Sequence, residues 1–176
     1  MNLRVFDNKV PFTVREKLLD YCTRSTFSLG WSDRSKIEND KAIPNIHSSW
    51  SDDYLNESKI LPYIHECMNE TPFFTCRGIE NVIINLIRPS DVHFIHSHPN
   101  KQVALYYCNL NWEDGWYGET VFYDPNNLEE VSFTSLYKPG RIILFDGSIP
   151  HAIRPQSVSG PKYRITLTII FKNYIN

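Results

Sequence analysis

Three histidines in the second half of the sequence have the types and the spacing of a metal site. His96 and His98 are separated by one residue, so both imidazoles leave the same face if they lie on a β-strand. His151 follows an apolar segment and a turn, and it would bring a third imidazole from the end of a later strand. Two ligands from one strand and one from another, with coordination positions left open, are typical of a catalytic non-haem Fe(II) centre. The three histidines are therefore predicted metal ligands.

An arginine on a later predicted strand is the second group that could do chemistry. Arg164, Thr166 and Thr168 alternate with aliphatic residues, so they share one strand face. On an isolated strand this polar face would be solvated. In a jelly roll with helices behind one sheet, the aliphatic face would pack on the helices and the polar face would line the barrel. A guanidinium held there can form a bidentate pair with a carboxylate, because its planar fork matches a planar anion.

The elements that must position these residues are predicted to be mainly β-strands. From Ile79 onward the sequence has about eight short segments rich in Val, Ile, Tyr and Thr, separated by turn residues such as Asp-Gly and Pro-Gly. Two helices are predicted before them, over Thr13–Arg24 and Ser58–Met68, and the turn-rich residues 30–51 are predicted to form an irregular loop. This order predicts a jelly roll, that is, a double-stranded β-helix, buttressed by the N-terminal helices.

Length and composition predict one globular domain over residues 1–176. The helical part would occupy about residues 1–75 and the jelly-roll core about residues 79–173. The net charge of −2 and the lack of a basic run argue against a nucleic-acid partner. No apolar run approaches the roughly 18 residues that a membrane helix needs. The N-terminus lacks the pattern of a signal peptide, and the 4 cysteines show no paired spacing, so we expect a cytoplasmic protein with reduced thiols.

Five sequence blocks follow one another from residue 96 onward. They are His96-Ser97-His98, then Tyr106-Tyr107-Cys108-Asn109 with Trp112, Tyr117-Gly118-Glu119-Thr120, Lys138 to Asp146 with His151, and Arg164 to Thr168. In this order they resemble the Fe(II)/2-oxoglutarate-dependent oxygenases, most closely the prolyl 4-hydroxylase-like branch. That family has H-x-D, Y-Y-L-N followed by W, G-G-E-T, K-P-G-R-L-V-L-F-D before a second His, and R-x-x-L-T. The resemblance covers the chain from Ile79 onward, and its strength lies in the order of the five blocks.

The resemblance implies an activity and a set of site residues. It implies that the three histidines hold Fe(II), and that 2-oxoglutarate and O2 serve as co-substrates for hydroxylation of an unactivated C–H bond. The distal carboxylate of 2-oxoglutarate would pair with Arg164, and Tyr107 and Thr168 match positions that hydrogen-bond this carboxylate. The branch suggests a prolyl or other peptidyl residue as the substrate, with a small molecule as the alternative, because a shared fold does not determine the substrate.

The histidine at position 98 departs from the family, which has an aspartate there. Three imidazoles around Fe(II) are chemically reasonable, and dianionic 2-oxoglutarate could neutralise the two charges that the metal then retains. In a second interpretation His98 does not ligate and an exogenous ligand fills its position; we favour ligation. The family's first turn glycine is Tyr117 here. A tyrosine that relatives often carry before the first motif is also absent, with Asn85 and Leu86 nearby.

Two neighbouring polar residues compete with the histidine pair for the interior. In a regular strand Asp91 and His93 share the face opposite to His96 and His98, so only one pair can point inward. The separation of 55 residues between His96 and His151 (151 − 96) suits the family, which favours the His96/His98 pair.

A group of aromatic residues follows the second block and has two interpretations. Trp112, Trp116 and Tyr117 could be packing residues or could form walls at the substrate entrance. Arg154 is a further candidate for substrate contact.

Two other functions stay open on the sequence alone. A three-histidine iron dioxygenase that does not use 2-oxoglutarate is suggested by His98 and opposed by Arg164. A non-catalytic jelly-roll binding module that has lost its carboxylate ligand is the other.

Overall fold

A computed structural model describes residues 1–31, 45–89, 91 and 93–172 of the chain. Within these residues the strands are more numerous than the helices, and the helices all belong to the N-terminal part. The elements in chain order are β1 (Leu3–Phe6), α1 (Phe12–Arg24), β2 (Ser28–Trp31), β3 (Asn45–Ser49), α2 (Asp52–Glu57), α3 (Leu61–Asn69), β4 (Gly78–Ile87), β5 (Gln102–Tyr107), β6 (Thr120–Asp124), β7 (Asn127–Ser135), β8 (Ile142–Asp146), β9 (His151–Ile153) and β10 (Arg164–Lys172).

The strands form two antiparallel sheets. The larger sheet has seven strands in the order β1-β8-β5-β10-β4-β3-β2, and the smaller has three in the order β7-β6-β9. Strand β10 lies between β5 and β4, and Thr166 is opposite both Tyr107 and Asn85. This two-sheet architecture confirms the predicted jelly roll. Among the described residues, no helix has the length and apolar character needed to cross a bilayer.

The two faces of β10 differ as the alternation in the sequence predicts. Ile165, Leu167 and Ile169 are buried in a core that also contains Leu18 of α1 and Ile64 of α3. The opposite face of the same sheet packs toward the small sheet, where a second core contains Val103, Leu105, Phe122, Ile143 and Phe145. Burial of an aliphatic side chain contributes roughly 1.5–3 kcal/mol, so the helix-facing core holds the helices on the sheet. The other face is left to line the space between the sheets.

The N-terminal elements differ from the prediction in several places. The predicted helix Ser58–Met68 corresponds to α3, which begins only at Leu61, because Lys59 has a φ of 61° and Pro62 lies in the first turn. Proline lacks an N–H and is tolerated there but not in a helix interior. Helix α2 lies before the predicted range and was not predicted. The predicted loop 30–51 contributes its ends to β2 and β3, and residues 32–44 lie outside the described residues. Strand β1 was not predicted, because its pairing with the distant β8 has no local signal.

An ion-paired aspartate joins the chain after β1 to the turn before β8. Arg141 donates to both carboxylate oxygens of Asp7 at 2.8 and 2.9 Å, and the Lys138 ammonium lies 2.9 Å from Oδ2. The hydrogen bonds from Arg141, more than any other contact, lower the pKa of Asp7 to about 2. Because this pKa is depressed, the ion pair contributes stability that is complete above the ordinary pKa near 3.8 and is lost as the pH falls toward 2.

We therefore expect Asp7→Asn to lower the free energy of unfolding by about 1–2 kcal/mol at pH 7, a figure reduced for the partial exposure of the pair. The loss should shrink as the pH is lowered from 5 to 2.5. Urea unfolding at several pH values measures it. Asp20→Asn is the matched control, because Asp20 pairs with Arg24 on the exposed surface of α1 and should change stability little. An equal loss in both variants, or one independent of pH, would contradict the assignment.

Candidate active site

A pocket between the two sheets contains most of the predicted site. No acidic side chain lines it within the part of the chain that the structure describes. Its walls comprise four histidines, a set of apolar residues and four polar residues: His93, His96, His98 and His151; Ile83, Val103, Leu105, Phe145, Ile153 and Ile170; Asn85, Thr120, Thr166 and Thr168.

The three predicted ligands converge in this pocket. Each of His96, His98 and His151 offers one ring nitrogen, and these nitrogens all lie within 4.8 Å of one another. The ring centroids are 4.3 to 5.4 Å apart. Imidazole nitrogens about 2.1 Å from one ion are separated by roughly 3–3.5 Å, so closure on a metal needs inward movements of only about an ångström.

The backbone around the site explains why His151 meets His96 and His98, which are more than 50 residues away in sequence. His96 and His151 exchange both backbone hydrogen bonds, at 3.0 and 2.9 Å. The backbone N–H of His98 donates to the carbonyl of Gly147 in the turn after β8. A Cβ at Gly147 would lie 2.5 Å from the His98 carbonyl oxygen, so only glycine permits this approach. The turn between β8 and β9 therefore positions all three imidazoles.

The hydrogen bonds of two rings select the tautomer that binds metals. Nδ1 of His96 lies 3.2 Å from the Phe94 carbonyl oxygen, and Nδ1 of His151 lies 2.9 Å from that of Ile149. A carbonyl oxygen only accepts, so Nδ1 carries the hydrogen in each ring and Nε2 carries the lone pair. Burial, and then the neighbouring His96, lower the pKa of His151 well below its usual range, although the Ile149 carbonyl opposes them. The imidazole of His151 is therefore neutral at physiological pH, as a metal ligand requires.

The favoured pair, His96 and His98, lines the pocket and Asp91 does not, but the alternation that was expected to turn His93 away does not hold. His93 lines the pocket together with His96 and His98. Asp91 instead accepts hydrogen bonds from the Arg88 guanidinium at 3.0 and 3.1 Å. The described part of this segment contains no regular strand, only the bridge at His96, so strict alternation does not apply.

The predicted carboxylate-binding arginine is fully buried on the pocket face of β10. Arg164 donates from Nε to the Gly118 carbonyl at 2.7 Å and from Nη2 to the Thr120 hydroxyl at 3.1 Å. Among the described residues, its Nη1 has no hydrogen-bond partner and no carboxylate lies within ion-pair distance. Burial lowers the pKa of Arg164, although guanidinium remains charged. A buried charge without a counter-ion indicates a site for an anion.

Two aromatic rings support this arginine. The guanidinium carbon lies 5.2 Å from the Tyr107 ring centre and 4.8 Å from that of Tyr137, and the two rings stack at 4.4 Å. The Tyr107 hydroxyl donates to Thr120 at 2.8 Å. Thr120 thus accepts from both Arg164 and Tyr107, so its own hydroxyl hydrogen must point elsewhere.

Thr168 and Arg164 make no hydrogen bond with each other in the structure. Thr168 is four residues along β10, and its hydroxyl accepts a hydrogen bond from Asn85 at 3.3 Å. The hydroxyl nearer to Arg164 in sequence is that of Thr166, which lines the pocket and is buried without a hydrogen-bond partner among the described residues.

Thr120 and Tyr137 contribute to the site and were not predicted, whereas Thr166 was predicted to line the barrel but not to take part in the site. Thr120 and Thr166 carried signals, since one ends the third sequence block and the other shares the strand face of Arg164. Tyr137 had none.

The register of the large sheet orders the pocket from end to end. Along β10, Thr166 pairs with Tyr107, Thr168 with Leu105 and Ile170 with Val103. Val103 also pairs with Phe145, whose ring is 4.9 Å from that of His151. The histidines therefore lie at the Ile170 end and Arg164 lies at the other, with Thr168 and Leu105 between them.

Comparison with solved structures finds this architecture in several oxygenases. A prolyl 4-hydroxylase from Pseudomonas putida matches with a TM-score of 0.74 at 13% identity, over 98% of this chain and 93% of that chain. The viral collagen prolyl hydroxylase of Paramecium bursaria Chlorella virus-1, in its 2-oxoglutarate complex, matches with a TM-score of 0.68 at 14% identity, over 99% and 97%. The chain has the fold of the 2-oxoglutarate/Fe(II) oxygenases.

Other members of this oxygenase fold match at similarly low identity. A prolyl hydroxylase from Trichoplax adhaerens, in complex with a peptide fragment of the hypoxia inducible factor oxygen degradation domain, has a TM-score of 0.68 at 17% identity, over 98% of this chain and 84% of that chain. Comparisons with known family profiles and with curated proteins give no match. The similarity to these oxygenases is therefore one of fold.

The turn at Tyr117 and Gly118, where the oxygenase motif has two glycines, has a left-handed backbone. Tyr117 and Gly118 have φ values of 56° and 77°, in the left-handed region that glycine adopts readily and tyrosine rarely. A Cβ at Gly118 would lie 3.2 Å from the Trp112 ring and 3.3 Å from the Arg164 side chain. Gly118 therefore allows Arg164 to approach, whereas Tyr117 adopts the unfavourable φ with its side chain 64% exposed.

The aromatic residues beside this turn are mainly packing residues. The Trp112 ring lies 4.0 Å from that of Tyr137, which supports Arg164, and Trp116 packs edge-on against Trp112 at 5.8 Å. Neither tryptophan lines the pocket. Arg154 is exposed, and its backbone N–H donates to the Glu119 carbonyl.

Proposed function

We propose that the chain is an Fe(II)- and 2-oxoglutarate-dependent dioxygenase that hydroxylates an unactivated C–H bond. One observation carries the proposal. Three converging imidazoles line a pocket of this oxygenase fold, and a buried arginine without a carboxylate partner among the described residues donates a hydrogen bond to Thr120, which lines the same pocket. A metal ion and an oxyacid together satisfy both groups.

The histidine cluster fits a divalent iron ion. His96 and His151 offer Nε2 lone pairs, because their Nδ1 hydrogens are donated to backbone carbonyls, and His98 completes a facial set. When bound, Fe(II) supplies a centre for the reaction of O2 with 2-oxoglutarate, which yields succinate, CO2 and a hydroxylated product. The role of the protein is to bind, orient and shield the reactants.

The opposite end of the pocket fits the distal carboxylate of 2-oxoglutarate. Arg164 Nη1 and the Thr166 hydroxyl are buried and have no hydrogen-bond partner among the described residues, which costs roughly 1–3 kcal/mol each until a ligand satisfies them. Thr120 and Thr168 both accept hydrogen bonds from neighbours, so each has its own hydrogen to donate to an acid. Tyr107 orients Thr120 and stacks beneath the guanidinium. Arg164, Tyr107 and Thr168 are thus our proposed co-substrate residues, supported by Thr120 and Thr166.

The apolar walls between these two ends exclude water from the reacting atoms. Val103, Leu105 and Phe145 come from β5 and β8, and Ile83 and Ile170 come from β4 and β10 of the same sheet. A dry environment strengthens the interaction of the acid with Arg164 and limits side reactions.

The substrate that we favour is a prolyl or other peptidyl residue of a peptide or protein. The support is the sequence resemblance and the peptide complex of the similar Trichoplax adhaerens enzyme. A small molecule is the alternative. We further propose that residues 1–176 act as a single domain in the cytoplasm, since no disulfide joins the 4 cysteines, all of which the structure describes.

Turnover tests the proposed function directly. Protein supplied with Fe(II), 2-oxoglutarate and O2 should form succinate, slowly without a substrate and faster with the correct one. Iron binding without succinate formation would favour the three-histidine dioxygenase, for which the all-imidazole cluster is the supporting observation. Absence of both would favour a non-catalytic binding module.

Substitution of His98 tests whether it is a ligand. If it ligates, His98→Asp should retain or raise activity, since it restores the carboxylate of the family, and His98→Ala should weaken iron binding about tenfold or more. Calorimetry with Mn(II) gives the affinities. Equal metal affinity in wild type and His98→Ala would decide against the three-histidine site.

A further inference from the structure

The charge balance of the pocket is unusual for a metal site. All three proposed ligands are imidazoles, which bind a metal without bringing negative charge, and the residues lining the pocket include no acid within the described part of the chain. Asp91, which follows β4, is engaged by Arg88 through both carboxylate oxygens. A divalent ion bound by the three imidazoles would therefore have neither of its two positive charges neutralised by a ligand.

A second positive group acts on the same pocket. Arg164 is fully buried and has no ion-pair partner among the described residues. Glu119 is near enough to favour the charged form of Arg164 but does not reach ion-pair distance. A metal ion and Arg164 would therefore place three positive charges around a pocket with apolar walls, where desolvation of unpaired charge is costly.

We propose that the metal and its anionic chelator bind this site as a coupled pair, and that His98 makes the coupling strong. The inference rests on the proposed function and deepens it. The anion supplies the negative charge that a carboxylate at position 98 would otherwise supply. The metal is therefore held weakly alone and tightly with a dianionic 2-oxo acid.

Linkage makes this coupling reciprocal. If the acid raises metal affinity by some factor, the metal raises acid affinity by the same factor. The low-dielectric walls enlarge the factor, because Coulomb interactions there are screened less than in water. Retention of the metal would then depend on the concentration of the acid, which makes the co-substrate a regulator of the active form.

The test compares Mn(II) affinity with and without saturating 2-oxoglutarate, measured by calorimetry on folded, metal-free protein. In wild type we expect 2-oxoglutarate to tighten Mn(II) binding by about tenfold or more. In His98→Asp, Mn(II) should bind more tightly on its own, and the factor due to 2-oxoglutarate should be several-fold smaller. His65→Asp is the matched control, because His65 is exposed on α3 and its change adds the same charge outside the pocket.

The outcomes separate this inference from the proposed function. A factor below about twofold in wild type overturns the coupling, even if His98→Asp fails to fold. Equal factors in wild type and His98→Asp overturn the role of His98 while 2-oxoglutarate binding still stands. Failure of 2-oxoglutarate to bind metal-loaded wild type overturns the proposed function and the coupling with it.

Discussion

Replacing Arg164 by leucine should remove most 2-oxoglutarate binding while the metal site survives. Arg164 is the only fully buried arginine among the described residues, and its Nη1 has no hydrogen-bond partner within them. Truncating one member of a buried charge pair costs roughly 2–5 kcal/mol, which corresponds to a loss of about 30-fold to several-thousand-fold in affinity. Leucine keeps an apolar side chain against the Tyr107 and Tyr137 rings, so the pocket should persist.

Lysine at the same position should restore only part of the affinity. An ammonium carries the charge but cannot form the parallel pair of hydrogen bonds that a guanidinium forms with a carboxylate. Calorimetry with 2-oxoglutarate on Mn(II)-loaded protein measures both variants, after circular dichroism has shown that they are folded. Arg141→Leu is the control, because it breaks the ion pair with Asp7 outside the pocket. It should lower the free energy of unfolding without weakening the binding of 2-oxoglutarate. Unchanged affinity in Arg164→Leu would leave the three-histidine dioxygenase as the better account.

Replacing His96 or His151 by alanine should abolish iron binding. Each imidazole is one of three proposed ligands, and His93, the fourth histidine of the pocket, does not belong to the group of ring nitrogens that could share one ion. Loss of groups that merely orient a ligand costs 10–100-fold in metal affinity, and loss of the ligand itself should cost about 100-fold or more. The acid-binding end of the pocket is formed by β10 and Thr120 and should remain intact.

The measurement is metal content after dialysis, together with Mn(II) calorimetry. His65→Ala is the control, because it removes an exposed imidazole from α3 and should bind metal as wild type does. Stoichiometric iron in either the His96 or the His151 variant would contradict the assignment of that residue.

The alternation of apolar and polar residues along the strands, and the order of strands and turns, predicted the fold well. Alternation along β10 separated the helix-facing aliphatic residues from Arg164 and the threonines, and the order of strands and turns predicted the jelly roll. The N-terminal half was harder, because α2 and α3 are short helices separated at Lys59, and such short elements show little periodicity. Edge strands such as β1 depend on partners more than a hundred residues away.

Only some contacts of the candidate site could be predicted from the local sequence. Convergence of the three histidines was predicted, but it depends on the bridge between His96 and His151 and on the turn at Gly147, not on the predicted strand, and the role of the histidines stays a prediction. The inward position of His93 could not be predicted, because parity assumes a regular strand that is not present there. The contact of Arg164 with Thr120 spans 44 residues and crosses between sheets, so no spacing rule reveals it.

The most direct test of the central claim is an anaerobic titration of the protein with Fe(II) and 2-oxoglutarate, followed by visible absorption. Chelation of protein-bound iron by the acid gives a weak charge-transfer band. The band should require protein, metal and acid together, should be absent in His151→Ala, and should need far more acid in Arg164→Leu. A protein that binds Fe(II) but develops no band at saturating 2-oxoglutarate would contradict the claim.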